Sequence, residues 1–229
     1  GDTIGVFQLE GSAMRSLIRS LEPESFDDII AVNALFRPGP MGQNMHYEYA
    51  DRKNGRKPVE YPHPATVPFL ESTYGIIVYQ EQVMQVAREL AGYSMAEADT
   101  LRKAMGKKVK SIMDKEREKF VAGCVAQSLG EKLGRELWHA VEPFAGYGFN
   151  KSHSTAYALI AYMTAYLKAH YPVEFMAALL SSDMPNRNFT RKDSTVEHLE
   201  DCDRMGVEVV APDVNRSEPE FGVAGGKIV

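Results

Sequence analysis

Apolar positions recur three and four residues apart along most of the chain, and the breaks between these runs fall at glycine and proline. Met14, Leu17, Ile18 and Leu21 follow Ser12, a helix-capping type, and stop before Pro23. Ser25 and Asp28 have capping-box spacing and open a helix carrying Phe26, Ile29, Ile30 and Leu35. Residues 42–57 read as a polar helix and loop. From Gln80 to Leu90 the stripe Val83, Val86, Ala87 and Leu90 predicts an amphipathic helix, with Gln80, Gln82, Gln85, Arg88 and Glu89 facing elsewhere and Gly92 ending it. Ser94 and Glu97 cap the next helix, whose inward positions are Met95, Ala98, Leu101 and Met105 and whose C-cap is Gly106. Two further helices follow over 111–129, with Met113, Phe120 and Cys124 inward, and over 131–144, with Leu133, Leu137, Trp138 and Val141 inward.

Beyond Ser154 no Gly or Pro occurs until Pro172, which predicts one long helix with Ala156, Leu159, Ile160, Met163 and Leu167 as its core stripe. Pro172 starts another helix, and a charged one covers 194–206. Three stretches read as extended: residues 1–10, Tyr74–Tyr79 and Val207–Val210. Arg37-Pro38-Gly39-Pro40 reads as a rigid turn and not a helix, 58–68 as a connector with Pro58, Pro62, Pro64 and Pro68, 183–193 as a polar loop, and 211–229 as an irregular tail. The expected fold class is mainly α: many helices, a few short strands and Pro-rich connectors.

Composition narrows the picture a little. The 229 residues suffice for one large domain or two small ones. With 44% hydrophobic and 25% charged residues the chain is of ordinary globular type. A formal net charge of −5 argues against a protein that coats nucleic acid over its whole surface, and leaves a local basic patch open. Cys124 and Cys202 have no CxxC partner, which points to packing roles and a reducing, cytoplasmic setting. No apolar run approaches the roughly 18 residues of a membrane span. The chain opens Gly-Asp-Thr without Met, as expected of an excised domain or a processed terminus.

The candidate chemistry is cationic and polar. Arg102, Lys103, Lys107, Lys108 and Lys110 place five bases in nine positions with no acid among them. Basic residues also suit a helix C-terminus, so phosphate contact and dipole compensation both remain open. Gly146-Tyr147-Gly148-Phe149-Asn150-Lys151-Ser152-His153-Ser154 is a polar loop feeding the long helix. It is either an anion site built on unpaired helix N–H groups or simply a capped helix start. Arg37 is either a ligand held on a stiff backbone or a solvated side chain. The sequence has no clustered metal-ligand spacing, no GxxxxGK[ST] or GxGxxG loop, and no nucleophile elbow. Such groups position and neutralise phosphates. Taken alone they describe a helical phosphate- or nucleic-acid-binding module.

Five runs in order carry a more specific likeness: Gly5–Glu10, Ala34–Met41, Tyr74–Met84, Ala98–Lys108 and Phe149–Tyr157, the last continuing through Leu167–Pro172 to Glu174–Ala178. With these runs the chain resembles the bacterial DNA polymerase III alpha subunits, C-family replicative polymerases, and in particular their fingers domain. The resemblance implies a helical domain over 11–210, led into from the palm through 1–10 and leaving through 211–229. It implies binding of incoming dNTP and primer-template phosphates by Arg37, Arg102, Lys103, Lys107, Lys108, Lys151, Ser152, His153 and Ser154, with Tyr79 and Gln80 along the nascent base pair. The family often has two arginines where this chain has Arg102 and Lys103; lysine keeps the charge and loses the bidentate fork. The family's metal-binding aspartates lie in the palm, whose PDxDxDF-type motif is absent here, so Mg2+ is expected only in the full-length enzyme and the fragment is expected to be inactive alone. DNA primer-template, dNTP, the palm of the same chain and, through regions not present here, other replicase subunits are the implied partners, with no membrane. The competing expectation is an autonomous helical nucleic-acid-binding module.

Overall fold

The computed structural model describes residues 2–107, 110–142, 144, 148–184 and 194–229, without the side chains of Lys107 and Lys110. The protein is mainly α. Among the described residues the helices are α1 (Ser12–Leu21), α2 (Phe26–Leu35), α3 (Pro38–Gly42), α4 (Met45–Lys53), α5 (Val67–Leu70), α6 (Gln80–Ala91), α7 (Met95–Lys107), α8 (Lys110–Ala126), α9 (Glu131–Val141), α10 (Lys151–His170), α11 (Pro172–Ser182) and α12 (Ser194–Met205). A small antiparallel hairpin joins β1 (Val223–Ala224) to β2 (Lys227–Ile228). The residues group into two compact units, Ser16–Ala158 and a second made of Gly1–Arg15 with Leu159–Val229. None of the helices among the described residues is long and apolar enough to cross a membrane.

The capping signals work as local chemistry predicts. The Asp28 amide donates to the Ser25 hydroxyl at 3.3 Å while the Ser25 amide donates to the Asp28 carboxylate at 3.0 Å. Replacing Ser25 by Ala is expected to cost about 1 kcal/mol, read from a urea unfolding curve; an unchanged midpoint would show that the box does not hold the helix. At α7 the Ser94 amide and hydroxyl both donate to Glu97. Those bonds, with one from Lys119, hold the Glu97 carboxyl down to about 2.

The core of the Ser16–Ala158 unit lies between α6, α7, α8 and α9. Leu101, Phe120, Cys124, Leu137 and Trp138 are fully buried there, and the Phe120 and Trp138 rings sit 5.5 Å apart. Gly123 lets α8 run close to α6, since a Cβ at that position would stand 2.1 Å from the Ala91 carbonyl oxygen. Cys124 is a free, buried thiol whose pKa burial pushes up to about 11. In the other unit Met176, Leu180, Cys202, Val207 and Ile228 are buried together. Beside them the Lys168 ammonium donates at 2.6 Å both to Asp201 and to the Ile4 carbonyl, and Arg204 donates to the second Asp201 oxygen.

Several sequence expectations are corrected. Pro38–Gly42 is one helical turn: Pro38 at its first position has no N–H to leave unpaired, and Met41 closes the turn on the Arg37 carbonyl at 2.9 Å. Residues 4–9 form successive turns and not an extended segment. Tyr74–Tyr79 is buried but pairs with no neighbour except for a single bridge from Tyr79 to Phe149. Two of its amides are met instead by Gln82, which is 5% exposed rather than solvent-facing. The Gln82 side-chain oxygen accepts from Val78 and Tyr79, and its nitrogen donates to Phe69 and Thr73. Met95 is exposed, and α7 runs through Gly106 without ending there. The tail is not wholly irregular: Gly225 and Gly226, both at positive φ, make the two-residue turn between β1 and β2.

The largest correction concerns α10. Its buried positions are Ser154, Ala158, Ala161 and Lys168, while Leu159, Ile160, Met163 and Leu167, expected in the core, are exposed. Both sets have helical spacing, so periodicity alone did not choose between them. The inner face carries small residues and Lys168, and the large side chains are turned outward.

Candidate functional site

The site is built around the first turn of α6. Tyr79 is extended (φ −109°, ψ 146°), so the helix starts at Gln80. The Gln80 amide donates to the Phe149 carbonyl at 2.9 Å, and the Phe149 amide donates to Val78 at 3.1 Å. These bonds set the starts of α6 and α10 side by side.

Asn150 caps α10, its side-chain oxygen accepting from the His153 amide at 2.8 Å. The Glu81 carboxylate accepts the Lys151 amide on both oxygens at 3.1 Å, and also the Asn150 side-chain amide. A carboxylate of the chain itself therefore sits where helix-start physics calls for an anion. Lys151, Ser152, His153 and Ser154 are helical residues and not loop residues. Ser154 is fully buried and its hydroxyl donates to the Ile30 carbonyl at 2.6 Å. Ser152 and His153 are exposed. The Lys151 ammonium lies 5.3 Å from the centre of the Tyr79 ring and 3.9 Å from Asp27. Tyr79 itself is only 3% exposed, and burial pushes its phenol pKa upward. It forms the floor of the site.

A second group of cations comes from α7. Asp99 accepts from Arg102 at 2.8 and 3.0 Å and from Lys103 at 2.7 Å. These bonds, Lys103 first and Arg102 second, lower the Asp99 pKa. A further Arg102 nitrogen reaches the Gln80 side-chain oxygen at 3.4 Å. Gln80 thus joins the α7 cations to the α6 start. Arg37 approaches on the other side, its guanidinium 4.3 Å over the Phe149 ring and its Nε donating to Ala34 at 2.7 Å. Partial burial lowers the Arg37 pKa, and an arginine remains charged at neutral pH all the same.

The structure thus brings Arg37, Tyr79, Gln80, Arg102, Lys103, Lys151 and His153 around one helix start and directs the Ser154 hydroxyl inward. Lys108 and the Lys107 side chain lie outside the described residues, as do Gly146 and Tyr147 of the polar loop and residues 185–193 of the later one. Sequence reasoning missed Glu81 and Asp99 as the anions of the site and Phe149 as the surface under Arg37. The Asp99 pairing was visible in its i+3 and i+4 spacing to Arg102 and Lys103. The Glu81 pairing, seventy positions from Lys151, had no local signal. Among the described residues no group of three or more His, Cys, Asp or Glu side chains is placed to hold a metal ion. A concavity of about 420 Å3 lined by Met45, Arg52, Tyr61, Ile76, Ile77 and Phe144 is a separate feature. Its Arg52 is engaged by Glu48 and by the Glu60 and Tyr74 carbonyls.

The geometry can be compared with known proteins. A sequence model of the bacterial DNA polymerase III alpha subunit finger domain matches residues 1–128. The DNA polymerase III subunit alpha of Saccharopolyspora erythraea is 53% identical over 232 residues, covering 100% of this chain. The proteins of that name from Mycobacterium tuberculosis (strain H37Rv) and Escherichia coli (strain K12) are each 48% identical, over 98% and 97% of this chain. In all three cases the match spans 19% of the relative's length.

Proposed function

The chain belongs to the bacterial DNA polymerase III alpha subunit family, matching its finger domain, and from that premise we propose that it binds the incoming dNTP and primer-template phosphates during template-directed nucleotidyl transfer in the cytoplasm. The observation that carries this reading is the gathering of Arg102, Lys103, Lys151 and Arg37 around the start of α6, with Gln80 between them. Arg102 and Lys103 share Asp99, and Lys151 has Asp27 at 3.9 Å. Pairs this exposed are weak because solvent screens them, so a triphosphate with several negative charges can displace them. The cations then neutralise charge that grows on the transferred and leaving phosphates and hold the nucleotide in line with the primer end.

In this reading residues 11–210 serve as the fingers, reached from the palm through 1–10 and continuing through 211–229. The palm of the same chain supplies the Mg2+ chemistry, so these residues are inactive alone, and other replicase subunits are met elsewhere on the full-length protein. Because Glu81 takes the Lys151 amide and Asn150 the His153 amide, Lys151 acts through its side chain and not through the helix start. Replacing Lys151 by Ala in the full-length polymerase is expected to lower kcat/KM for single-nucleotide incorporation about tenfold, mainly through KM, as for loss of one charge-assisted contact. Wild-type kinetics in that variant would remove the residue from the nucleotide site.

A further inference from the structure

The outward face of α10 is apolar over its second half. Leu159, Ile160, Met163 and Leu167 are exposed. They stand three and four positions apart, so they form one continuous stripe. From Ser152 to Leu167 the helix carries no Asp, Glu, Lys or Arg. A helix that meets water normally turns charged residues toward it. Here Ala158 and Ala161 are buried and the four large side chains face out. A contiguous apolar patch of this kind marks an interaction surface.

The stripe is bordered by residues 2–7, which belong to the same compact unit. The Phe7 amide donates to the Thr164 hydroxyl at 3.1 Å, the Lys168 ammonium to the Ile4 carbonyl at 2.6 Å, and Arg204 to Asp2 at 2.6 Å. Gly5 lies so close to α11 that a Cβ there would stand 2.4 Å from Leu179. Thr164 is a surface neighbour of Ile160 and Leu167 through i, i+4 and i, i+3 spacing. Residues 2–7 thus run along the edge of the stripe, and polypeptide joined ahead of them is held beside it. The matches to the relatives span 19% of their length, so a full-length member of the family has ample chain to place there.

We propose that Leu159, Ile160, Met163 and Leu167 dock the part of the same polypeptide that precedes residue 1 in the full-length polymerase. The proposal rests on the polymerase reading, in which that part is the palm. Area and tethering favour it over a second copy. One helix face of this length offers roughly a few hundred Å2, whereas a stable interface between separate molecules buries about 800 Å2 per partner. A partner on the same chain needs less, because a short tether holds it at an effective concentration of about a millimolar. A membrane surface fits less well. A membrane-lying helix flanks its apolar face with Lys and Arg, and the one such residue of α10 beside this stripe, Lys168, is buried against Asp201.

The test uses the full-length polymerase, without DNA or other subunits, with Met163 replaced by the photoreactive p-benzoylphenylalanine. Isotopically heavy and light protein are mixed before irradiation, which separates cross-links within one molecule from those between two. Cross-links within one molecule to residues that precede residue 1 are expected. Cross-links to residues beyond 229, cross-links between heavy and light copies, or no cross-link at all each overturn the proposal. A second measurement needs no substitution. Hydroxyl-radical labelling of Leu159 and Leu167 in the full-length polymerase should run about tenfold slower than in the urea-unfolded chain, as expected when the docked state holds roughly nine-tenths of the population. Labelling at the unfolded rate overturns the docking surface. The nucleotide reading is judged separately, by the incorporation kinetics of Lys151→Ala, and can stand if the docking surface fails.

Discussion

In the full-length polymerase, Arg102→Ala is expected to lower kcat/KM for nucleotide incorporation on the order of a hundredfold. Arg102 is the only forked donor among the cations that α7 brings to the site, and its guanidinium bridges Asp99 and Gln80. Loss of one donor aimed at charge that develops in a transition state typically costs about 10²- to 10³-fold. Arg102→Lys should restore part of the activity, because lysine keeps the charge but not the paired N–H geometry. A structural role predicts a different outcome. The Arg102–Asp99 pair is an exposed i, i+3 surface contact that solvent screens, so the variant should unfold at nearly the wild-type urea concentration. Single-turnover incorporation is the deciding measurement, and an unaltered rate at low nucleotide would remove Arg102 from the site.

Lys168→Met is expected to destabilise the fold by up to about 3 kcal/mol, because the buried Asp201 carboxylate loses one of its two cationic partners and keeps only Arg204. Lys168 is 3% exposed and the Asp201 side chain is fully buried. Burial pushes the Asp201 carboxyl pKa up, but hydrogen bonds from Lys168 and Arg204 outweigh it and the pKa falls below the ordinary carboxylate value. A lowered pKa contributes stability that is fully present above the unfolded-state value and is lost as pH falls through the folded-state value. The pair should therefore act at neutral pH and fade in acid. Lys168→Met also frees the Ile4 carbonyl that the ammonium meets at 2.6 Å. The double variant Lys168→Met, Asp201→Leu should recover much of the loss, because two apolar groups of similar volume need no partner. Urea denaturation of the three proteins at neutral pH tests this; a single variant within 1 kcal/mol of wild type would show that water already reaches Asp201.

Elements whose signals are local were legible in the sequence. Ser25 with Asp28 and Ser94 with Glu97 start helices as their spacing requires, and Gly92, at φ 69°, stops α6. Elements decided by distant partners were not. Tyr74–Tyr79 has strand composition, yet its amides turn to local partners: Gly75 to Leu70, Ile76 to Thr73, and Val78 and Tyr79 to the buried Gln82 side chain. In α10 two stripes compete with equal periodicity, and the burial of Ser154, Ala158 and Ala161 rather than Leu159, Ile160 and Met163 has no signal in the spacing. At the site, the sequence named candidate cations. It could not locate Glu81, because the bond from Glu81 to Lys151 exists only once α6 and α10 lie side by side.

The shared grip of Asp99 on Arg102 and Lys103 bears on how affinity responds to ionic strength. A cation that waits in solution with a dissolved anion releases that anion when a phosphate arrives, and each release makes binding steeper in salt. Arg102 and Lys103 wait instead with a tethered carboxylate at 2.7–2.8 Å. When phosphate displaces Asp99 the freed carboxylate stays attached and gathers its own small cations from solution. The site should therefore bind nucleotide with a gentler salt dependence than its number of positive charges suggests, and keep more of its affinity in the concentrated electrolyte of a cell.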